Sequence, residues 1–515
     1  MKKQHNVRPA KGVHMGNNKY VILVIFLTGL SIPGAFAREI PSAGQMAMNP
    51  ILMAQSEVPA GSAEQARPPV IPQGQSGAPS VQQGQSPTET VPQGQSQTTP
   101  VPQGQSPQTS VPVGQTEGTT VSEEDGIGAD IFGRQGGRIH PFVSFQVLHT
   151  DNLFATRNNK QSDWVTTIAP GIWVALPANR EKLLTIDTNL TSSGGLKLGR
   201  IKPEATRRYQ MYALYSPELI LYKDTSRHDH WNHTLEGLFQ YNFNSGLSFD
   251  VIDVFHDREE IAGNGIDDTL FRHQDNLFDF ITTFDSDSRK FKVQFNYANY
   301  DLNYKDPVVA YRDRNDNSLG LTLFYKFKPK TSLLAGIRYA DIAFDTGTIN
   351  DNEEIGYYGG ISWEVTARSR GTFRLGYLEK DFDDDRVKDQ DGFSVELQTQ
   401  HNFTAKRGVN VMGYRKFHES DLAGASSFLS TGIDIALLQR FNERWSGNRH
   451  FVYEENEYNG INRDDRFFSI GPAIRFEPRK WLFFDLGYTY FDNDSNIDFF
   501  DYEVNQFYLR VTASL

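Results

Sequence analysis

Apolar and polar residues alternate along the chain from about residue 138 to its end. The clearest case places Leu319, Leu321, Leu323 and Phe327 on one face, with small, polar or charged residues between them. The same pattern recurs in two further segments, residues 291–300 and 507–515. A period of two predicts β-strands that each carry one apolar face.

Short connections rich in Lys and Arg alternate with longer connections rich in Asp and Asn. The short ones are predicted at residues 177–182, 244–246, 286–290, 329–331, 367–371, 404–408, 442–444 and 478–480. The longer ones are predicted near residues 150–162, 224–231, 257–273, 301–316, 345–353, 383–391, 420–425, 457–465 and 493–500. Together they join 18 strands, and an even number brings both chain ends to the same side. Residues 191–206 do not fit this spacing and predict an excursion, or an extra hairpin that would raise the count to 20.

Charge differs between the two kinds of connection. The short turns contain Arg180, Lys182, Arg289, Lys290, Lys330, Arg368, Arg370, Lys406, Arg407, Arg444, Arg479 and Lys480. The loops contain Asp313, Asp316, Asp383, Asp384, Asp385, Asp389, Asp391, Glu454, Glu455, Asp464, Asp465, Asp494 and Asp498. Alternation alone also fits a soluble β-sandwich, but a sandwich gives no reason for its two ends to differ in charge. A closed barrel has no free strand edges, and the bilayer gives its outer face an apolar environment. The sequence therefore predicts an all-β, transmembrane, antiparallel up-and-down β-barrel of about 18 strands over residues 138–515.

The N-terminal segment has the features of a secretory signal peptide, predicted as residues 1–37. Basic residues precede the apolar run 20–32, and Ala35-Phe36-Ala37 has the small-x-small form of a cleavage site. Met15 is an alternative start, because the charge at Lys19 and the apolar run would remain. We expect the mature protein to leave the cytoplasm.

Residues 38–137 predict a disordered linker. A decapeptide based on V-P-Q-G-Q-S repeats in register through residues 71–120. One branched aliphatic residue in about ten cannot offset the chain entropy lost on folding. The segment is interpreted as a flexible spacer, with a tether to the cell wall or to periplasmic proteins as the alternative.

The amino-acid composition excludes some classes of function and argues against others. The chain has no Cys, which excludes disulfides, thiolate metal sites and Cys nucleophiles. A net charge of -12 argues against nucleic acid as a partner. A hydrophobic content of 38% and a mean hydropathy of -0.51 suit a barrel with a polar lumen, because only every second strand residue meets lipid.

Three motifs in the first predicted hairpin carry a family resemblance. They are His149-Thr150-Asp151-Asn152-Leu153-Phe154, Ser162-Asp163-Trp164 and Ile168-Ala169-Pro170-Gly171. They resemble the opening of the putative β-barrel porin 2 family, and the resemblance extends over about residues 138–515. It implies a barrel in the outer membrane of a Gram-negative bacterium, with some relatives encoded among exopolysaccharide or capsule biosynthesis and export functions. The terminal Leu515 departs from the aromatic residue common at barrel C-termini.

Candidate chemistry is sparse, and the sequence predicts no enzyme and no cofactor. His228, His230 and His233 have spacing that could hold a metal ion, although a solvated loop explains them as well. A second set fits the oxygen positions of a calcium loop, but Ile497 occupies the position where Gly makes the turn. That set is Asp492, Asp494, Asn496, Asp498 and Glu503.

Function is expected to reside in the barrel lumen. The lumen-facing candidates are Lys292, Gln294, Lys326, Lys328, Arg338, Arg374, Tyr508 and Arg510. A cationic and aromatic interior would suit anionic or sugar polymers, while ion pairing with acids such as Glu236 would make the same residues structural. An 18-stranded barrel leaves an aqueous channel unless a segment fills it, and the loop lengths predict no large plug.

Three functions follow from these observations. The first is a passive conduit for exopolysaccharide secretion, the second a general diffusion porin, and the third a structural or adhesive surface barrel with a closed lumen. Expected partners are outer-membrane lipid and lipopolysaccharide, an exopolysaccharide chain and periplasmic export proteins. The oligomeric state is left open.

Overall fold

The computed structural model describes residues 137–177, 208–261, 270–285, 290–307, 309–346, 350–366, 368–420 and 425–514. These residues form 18 strands joined by loops and a few short 3₁₀ turns. The strands are β1 (Ile139–Thr150), β2 (Asp163–Leu176), β3 (Tyr209–Tyr222), β4 (His230–Asn242), β5 (Leu247–Ile261), β6 (Leu270–Asp285), β7 (Phe291–Tyr304), β8 (Arg314–Lys328), β9 (Thr331–Phe344), β10 (Asn352–Thr366), β11 (Ser369–Phe382), β12 (Gln390–Thr404), β13 (Arg407–Glu419), β14 (Ser427–Arg440), β15 (Trp445–Tyr458), β16 (Asp464–Arg479), β17 (Leu482–Ser495) and β18 (Tyr502–Ser514). Among the described residues, no helix has the length and hydrophobicity needed to cross a membrane.

Each strand pairs antiparallel with its sequence neighbours, and β1 pairs with β18. At this closing seam Phe142 lies opposite Ser514, and Thr150 lies opposite Gln506. The sheet is therefore a closed barrel without edges, and the predicted 18-stranded up-and-down architecture is confirmed.

The two ends of the barrel differ as predicted. One end, here called the turn end, carries the start of β1, the end of β18 and the short turns. The other, the loop end, carries the longer connections, such as 151–162 and 305–313. The predicted short turn at 177–182 falls in a connection that runs from 177 to 208, and its residues 178–207 lie outside the described part of the chain. The predicted excursion at 191–206, the signal peptide and almost all of the linker also lie outside it.

The outer face of the barrel is largely apolar between two rings of aromatic residues, with Arg449 on β15 as one charged exception. The turn-end ring contains Tyr209, Phe243, Phe291, Phe327, Phe403, Phe441, Trp445 and Trp481, all exposed. The loop-end ring contains Trp164, Trp231, Tyr357, Tyr377, Phe393 and Phe507, also exposed. On β12, Phe393 and Phe403 are about ten residues apart, which is ~33 Å along the strand and ~25 Å along the axis at a typical tilt of about 40°. This spacing matches the apolar band of a membrane barrel.

Candidate functional site: the barrel interior

Side chains that alternate with the outer face point into the barrel. On β18, Tyr508 and Arg510 are buried on the inner face, whereas Phe507 and Leu509 are exposed on the outer face. The same alternation places Lys292, Gln294, Lys326, Arg338 and Arg374 on the inner faces of their strands.

A chain of ion pairs crosses four neighbouring strands inside the barrel. Arg338 on β9 lies 3.1 Å from Glu354 on β10 and 3.8 Å from Glu396 on β12. Arg374 on β11 lies 2.9 Å from the same Glu396. The Arg374 guanidinium also lies 5.1 Å from the centre of the Tyr358 ring. Because both arginines have carboxylate partners, this part of the wall is close to neutral.

Two predicted lumen residues also contact partners near the turn end. Lys326 forms an ion pair with Asp285. The Lys292 ammonium lies 3.9 Å from the centre of the Phe324 ring.

The remaining lumen candidates have polar neighbours or lie at the rim. Gln294 donates a hydrogen bond to the Thr283 hydroxyl at 3.2 Å. Arg510 donates to Gln146 at 2.8 Å, and its guanidinium lies 5.5 Å from the Tyr508 ring. Lys328 is exposed at the turn end of β8.

The loop-end half of the interior is closed by packed side chains. Lys380 and Glu419 form a buried ion pair at 2.5 Å, and Lys380 also donates to Asn352 at 2.7 Å. Further buried inner-face residues at this level are Tyr300, Arg314, Asp316, Ile342, Lys416, Phe428, Glu454 and Phe467. Arginine and lysine side chains in an open aqueous lumen would be solvated, so their burial shows that protein fills this half.

The first loop contributes to this closure. Leu153 and Phe154 are buried in one cluster with lumen-facing residues of β1, β2, β3 and β18. Ala155 is buried in a second cluster with lumen-facing residues of β15 to β18. Residues 153–155 of loop 151–162 therefore lie inside the barrel wall, whereas residues 157–162 are exposed. The loop lengths predicted no large plug, and they gave no sign that this short loop folds inward.

Hydrogen bonds hold the base of this loop. Asn152 is fully buried; it donates to the carbonyl oxygens of Thr156 at 2.8 Å and Glu503 at 2.9 Å. The Asp151 carboxylate accepts from the backbone and side chain of Asn505. The Asp-Asn-Leu-Phe motif that carries the family resemblance is thus the part of the loop that enters the barrel.

The turn-end half is more open on one side. Several lumen-facing residues of β7 to β14 are half-buried there, among them Lys292, Gln294, Arg370, Arg374, Gln398 and Arg440, whereas Phe324, Leu334, Gln400 and Leu438 on the same wall are buried. On the opposite wall, His140, Trp173, Gln240 and Asp485 are buried. Among the described residues, the interior is therefore less tightly filled at the turn end of this wall than at the loop end.

The candidate histidine site is not assembled. His228 is buried in a 3₁₀ turn and accepts a hydrogen bond from Arg227 at 3.2 Å, and burial lowers the pKa of His228. His230 Nδ1 donates to the His228 carbonyl at 2.7 Å. His233 lies on the outer face, where its ring stacks on Tyr215 with centroids 6.2 Å apart.

The candidate calcium ligands also have other partners. Asp498 forms an ion pair with Arg157 at 2.9 Å, Glu503 with Lys160 at 3.4 Å, and Asp494 with Arg466 at 3.8 Å. Asn496 accepts from the backbone of Asp464 at 3.0 Å, and Asp492 lies opposite Glu503 in the sheet. Within the described ranges, no cluster of three or more His, Asp or Glu residues could hold a metal ion.

Two features of the interior were not anticipated. Asp316, Glu454 and Asp465, assigned to loops from the sequence, are buried on inner faces of strands, because β8, β15 and β16 extend further than the turn signals indicate. Inner-face glycines also accommodate aromatic rings. A Cβ on Gly432 would lie 2.6 Å from the Tyr414 ring. These rings therefore lie flat along the wall, which widens the space that remains inside.

Comparisons with known proteins agree with this architecture. The family model described as putative beta-barrel porin 2 matches residues 136–515. No curated protein matches the chain.

Solved outer-membrane proteins give distant structural matches. OccK3 (OpdO) of Pseudomonas aeruginosa is 8% identical with a TM-score of 0.37, covering 73% of this chain and 95% of its own. A BenF-like porin from Pseudomonas fluorescens Pf-5 is 7% identical with a TM-score of 0.39, covering 75% and 100%. The siderophore receptor PirA of Pseudomonas aeruginosa is 9% identical with a TM-score of 0.36, covering 73% and 80%.

Because these TM-scores are low, the assignment rests on the family match, which spans every strand of the barrel. The chain belongs to the putative β-barrel porin 2 family and is a porin-like outer-membrane β-barrel.

Proposed function

We propose that this protein is a passive outer-membrane channel that serves the secretion of an exopolysaccharide. The observation that carries the proposal is the division of the interior into a less tightly filled turn-end half and a loop-end half closed by side chains and the first loop. A chain secreted through the barrel would enter at the turn-end half. It would leave after the first loop moved aside.

The lining supports a saccharide as cargo. Tyr358, Tyr414 and Tyr508 face inward, and rings of this kind stack on the apolar faces of sugars. Tyr358 is half-buried, whereas Tyr414 and Tyr508 are buried and would become accessible to a sugar only when the loop-end half opens. Amide groups such as those of Gln294 and Gln398 supply hydrogen-bond donors and acceptors for hydroxyl groups. Arg338 and Arg374 are paired with carboxylates, so they keep the wall polar without a strong electrostatic field.

A general diffusion porin is the second candidate, and the same neutral ion-paired wall favours it. A pore without a net charge would pass small hydrophilic solutes of either sign. A structural surface barrel is the third candidate, and the buried loop-end half favours that one.

Two experiments separate the three functions. Planar-bilayer recordings of the purified full chain should show small or rare conductance events, which increase when residues 153–155 are replaced by Gly-Ser-Gly. If neither protein carries current, the barrel is not a channel. Deletion of the gene should abolish surface polysaccharide, and re-expression of the full chain should restore it. Unchanged polymer secretion in the deletion strain, together with clear conductance, would assign the diffusion porin.

A further inference from the structure

We propose that copies of this barrel associate side by side in the membrane, with Arg449 of one copy paired to Asp253 of the next. The two residues lie on the outer faces of β15 and β5, far apart on the wall of a single barrel. The surface around each residue is therefore a contact for a second copy of this chain. This association goes beyond the proposed secretion function and does not depend on it.

Arg449 is an isolated cation on the outer face of β15. Its side chain is exposed, and within the described ranges it has no hydrogen-bond or ion-pair partner. The residues opposite it on the neighbouring strands are Leu437 and Pro472. Trp445 in the turn-end ring is four residues away, which is ~13 Å along the strand and ~10 Å along the axis. Arg449 therefore lies inside the apolar band, where an unpaired cation is costly.

Asp253 is the acidic counterpart on the outer face of β5. It is half-buried and accepts a hydrogen bond from Asn276 Nδ2 at 3.1 Å. Asn276 is neutral, and no cation in the described part of the chain forms an ion pair with the Asp253 carboxylate. Asp253 lies six residues from Leu247 at the turn end of β5, which is ~20 Å along the strand and ~15 Å along the axis. The depths of Asp253 and Arg449 thus differ by ~5 Å, which the flexible stem of an arginine can span.

The wall beside Asp253 leaves room for a side chain from another barrel. Its cross-strand neighbour on β4 is Gly237, which also faces outward. A Cβ on Gly237 would meet only the Asp253 carbonyl oxygen, at 3.9 Å, so the surface there is open. A guanidinium from outside can therefore approach the Asp253 carboxylate over Gly237.

Charge determines how two copies can meet. A two-fold contact at β15 would bring two Arg449 side chains together, and one at β5 would bring two Asp253 carboxylates together, so both are repulsive. A heterologous contact instead brings opposite charges together in a medium of low dielectric constant. Because both side chains already lie in the apolar band of the isolated barrel, their pairing costs little further desolvation.

The positions of the two strands predict the form of the assembly. Around the closed sheet of 18 strands, β5 and β15 are ten positions apart in one direction and eight in the other. At about 20° per strand, eight positions correspond to about 160°. Successive copies are then rotated by only about 20°, so the contact cannot close a trimer and extends as an open row.

A lipid phosphate is the other acceptor that Arg449 can reach. The side chain would then extend toward the headgroups at the turn end. Asp253 would have no part in that interaction. The two acceptors therefore differ in whether a change at Asp253 alters association.

The test measures association of purified full chains in lipid vesicles by energy transfer between labelled barrels. The chain has no Cys, so Asp385→Cys in an exposed loop carries the label. We expect transfer in wild type that is lost at high lipid dilution, where each barrel is isolated and Arg449 faces lipid. Arg449→Leu and Asp253→Leu should each weaken association roughly tenfold. Lys406→Leu removes a cation from a turn and is the matched control, which should associate as wild type does.

An equimolar mixture of the two variants gives the sharpest result. Arg449→Leu protein retains Asp253, and Asp253→Leu protein retains Arg449, so one contact can form between them. Transfer should return in the mixture. Photobleaching of single complexes should count two labels in the mixture and longer series in wild type.

Wild-type barrels that show no transfer, or that form closed complexes of three, would overturn the proposal. It would also be overturned by single variants that associate like wild type, or by a mixture that associates no better than either variant alone. Loss of association in Arg449→Leu but not in Asp253→Leu would assign the acceptor to lipid phosphate. If Asp253→Leu does not fold, Asp253→Asn replaces it, because an amide removes the charge and keeps an acceptor for Asn276.

Discussion

The Asp151 carboxylate accepts two hydrogen bonds from Asn505, one from the backbone N–H at 2.7 Å and one from Nδ2 at 2.8 Å. This contact joins the base of the inward-folded first loop to the start of β18, just beyond the last pair of the closing seam. Asp151 N–H also donates to the Asn505 carbonyl at 3.1 Å. The hydrogen bonds that anchor the first loop therefore continue the row of hydrogen bonds that closes the barrel seam.

Replacement of Asp151 by Ala should release the first loop while the barrel stays folded. Hydrogen bonds to a charged group contribute about 1.5–3 kcal/mol each, and Asp151 is only half-buried, so we expect the loss of both bonds to weaken the hold on the loop by about 3 kcal/mol, the lower end of their sum. Trypsin should then cleave at Arg157 and Lys160 faster than in the wild type. Asp384→Ala is the matched control, because Asp384 lies in an exposed loop and bonds to Arg386 two residues away. Equal cleavage of both variants at Arg157 would show that Asp151 does not anchor the loop.

The position of this loop could not be predicted from the sequence, whereas the barrel could. Apolar side chains recur at every second residue of the wall strands, as Leu319, Leu321 and Leu323 show on β8. The sequence of each strand therefore shows which residues face outward. Leu153, Phe154 and Ala155 form a short apolar run inside a loop, and such a run has no period. The burial of Leu153 and Phe154 depends on residues of β1, β2, β3 and β18, and that of Ala155 on residues of β15 to β18, so much of it depends on strands far away in sequence.

The residues that face the lumen could be predicted from the same alternation, but their ion-pair partners could not. Alternation assigns Arg338 and Arg374 to the inner face, as the structure places them. Their shared partner Glu396 lies on a different strand, and only the register between strands brings it within 2.9 Å of Arg374. Residue type and spacing do not determine that register.

Gly432 should tolerate no side chain, because the Tyr414 ring covers it. An added Cβ would lie 2.6 Å from the ring. We expect Gly432→Ala to lower the free energy of unfolding by about 1–3 kcal/mol, the usual cost of overpacking. Gly237→Ala is the control, since a Cβ there would meet only the Asp253 carbonyl oxygen at 3.9 Å. Urea unfolding in lipid vesicles measures both variants, and equal losses would mean that the ring moves freely.

Arg449 is an exposed cation on the outer face of β15, midway between Trp445 and Tyr453. Its cross-strand neighbours are Leu437 and Pro472, which are also outward-facing. An arginine facing lipid near the midplane costs about 2–4 kcal/mol. Arg449→Leu should therefore stabilise the barrel in vesicles by up to about that amount.

The control for this change is Lys406→Leu, which removes a cation from a turn outside the apolar band. We expect its free energy of unfolding to stay within about 0.5 kcal/mol of wild type. A destabilised Arg449→Leu protein would contradict the assignment of this surface to lipid. It would indicate instead that the guanidinium has an acceptor in the membrane.

Asp313 should make loop 305–313 sensitive to pH. Burial raises the pKa of its carboxyl group to about 6, and the nearby Asp345 and Asp301 act in the same direction, whereas the Tyr304 N–H bond at 2.7 Å and Lys305 oppose them. Because the folded-state pKa lies above the unfolded value of about 3.9, the native state binds the extra proton between these values. The contribution of protonated Asp313 to the stability of the loop is complete below pH ~4 and is lost as the pH rises through about 6. Hydrogen exchange at the Tyr304 amide should therefore accelerate between pH 5 and 7 beyond the intrinsic base-catalysed rate, and Asp313→Asn should remove the excess. The same excess in the Asn variant would assign the pH response to Asp301, whose pKa burial also raises.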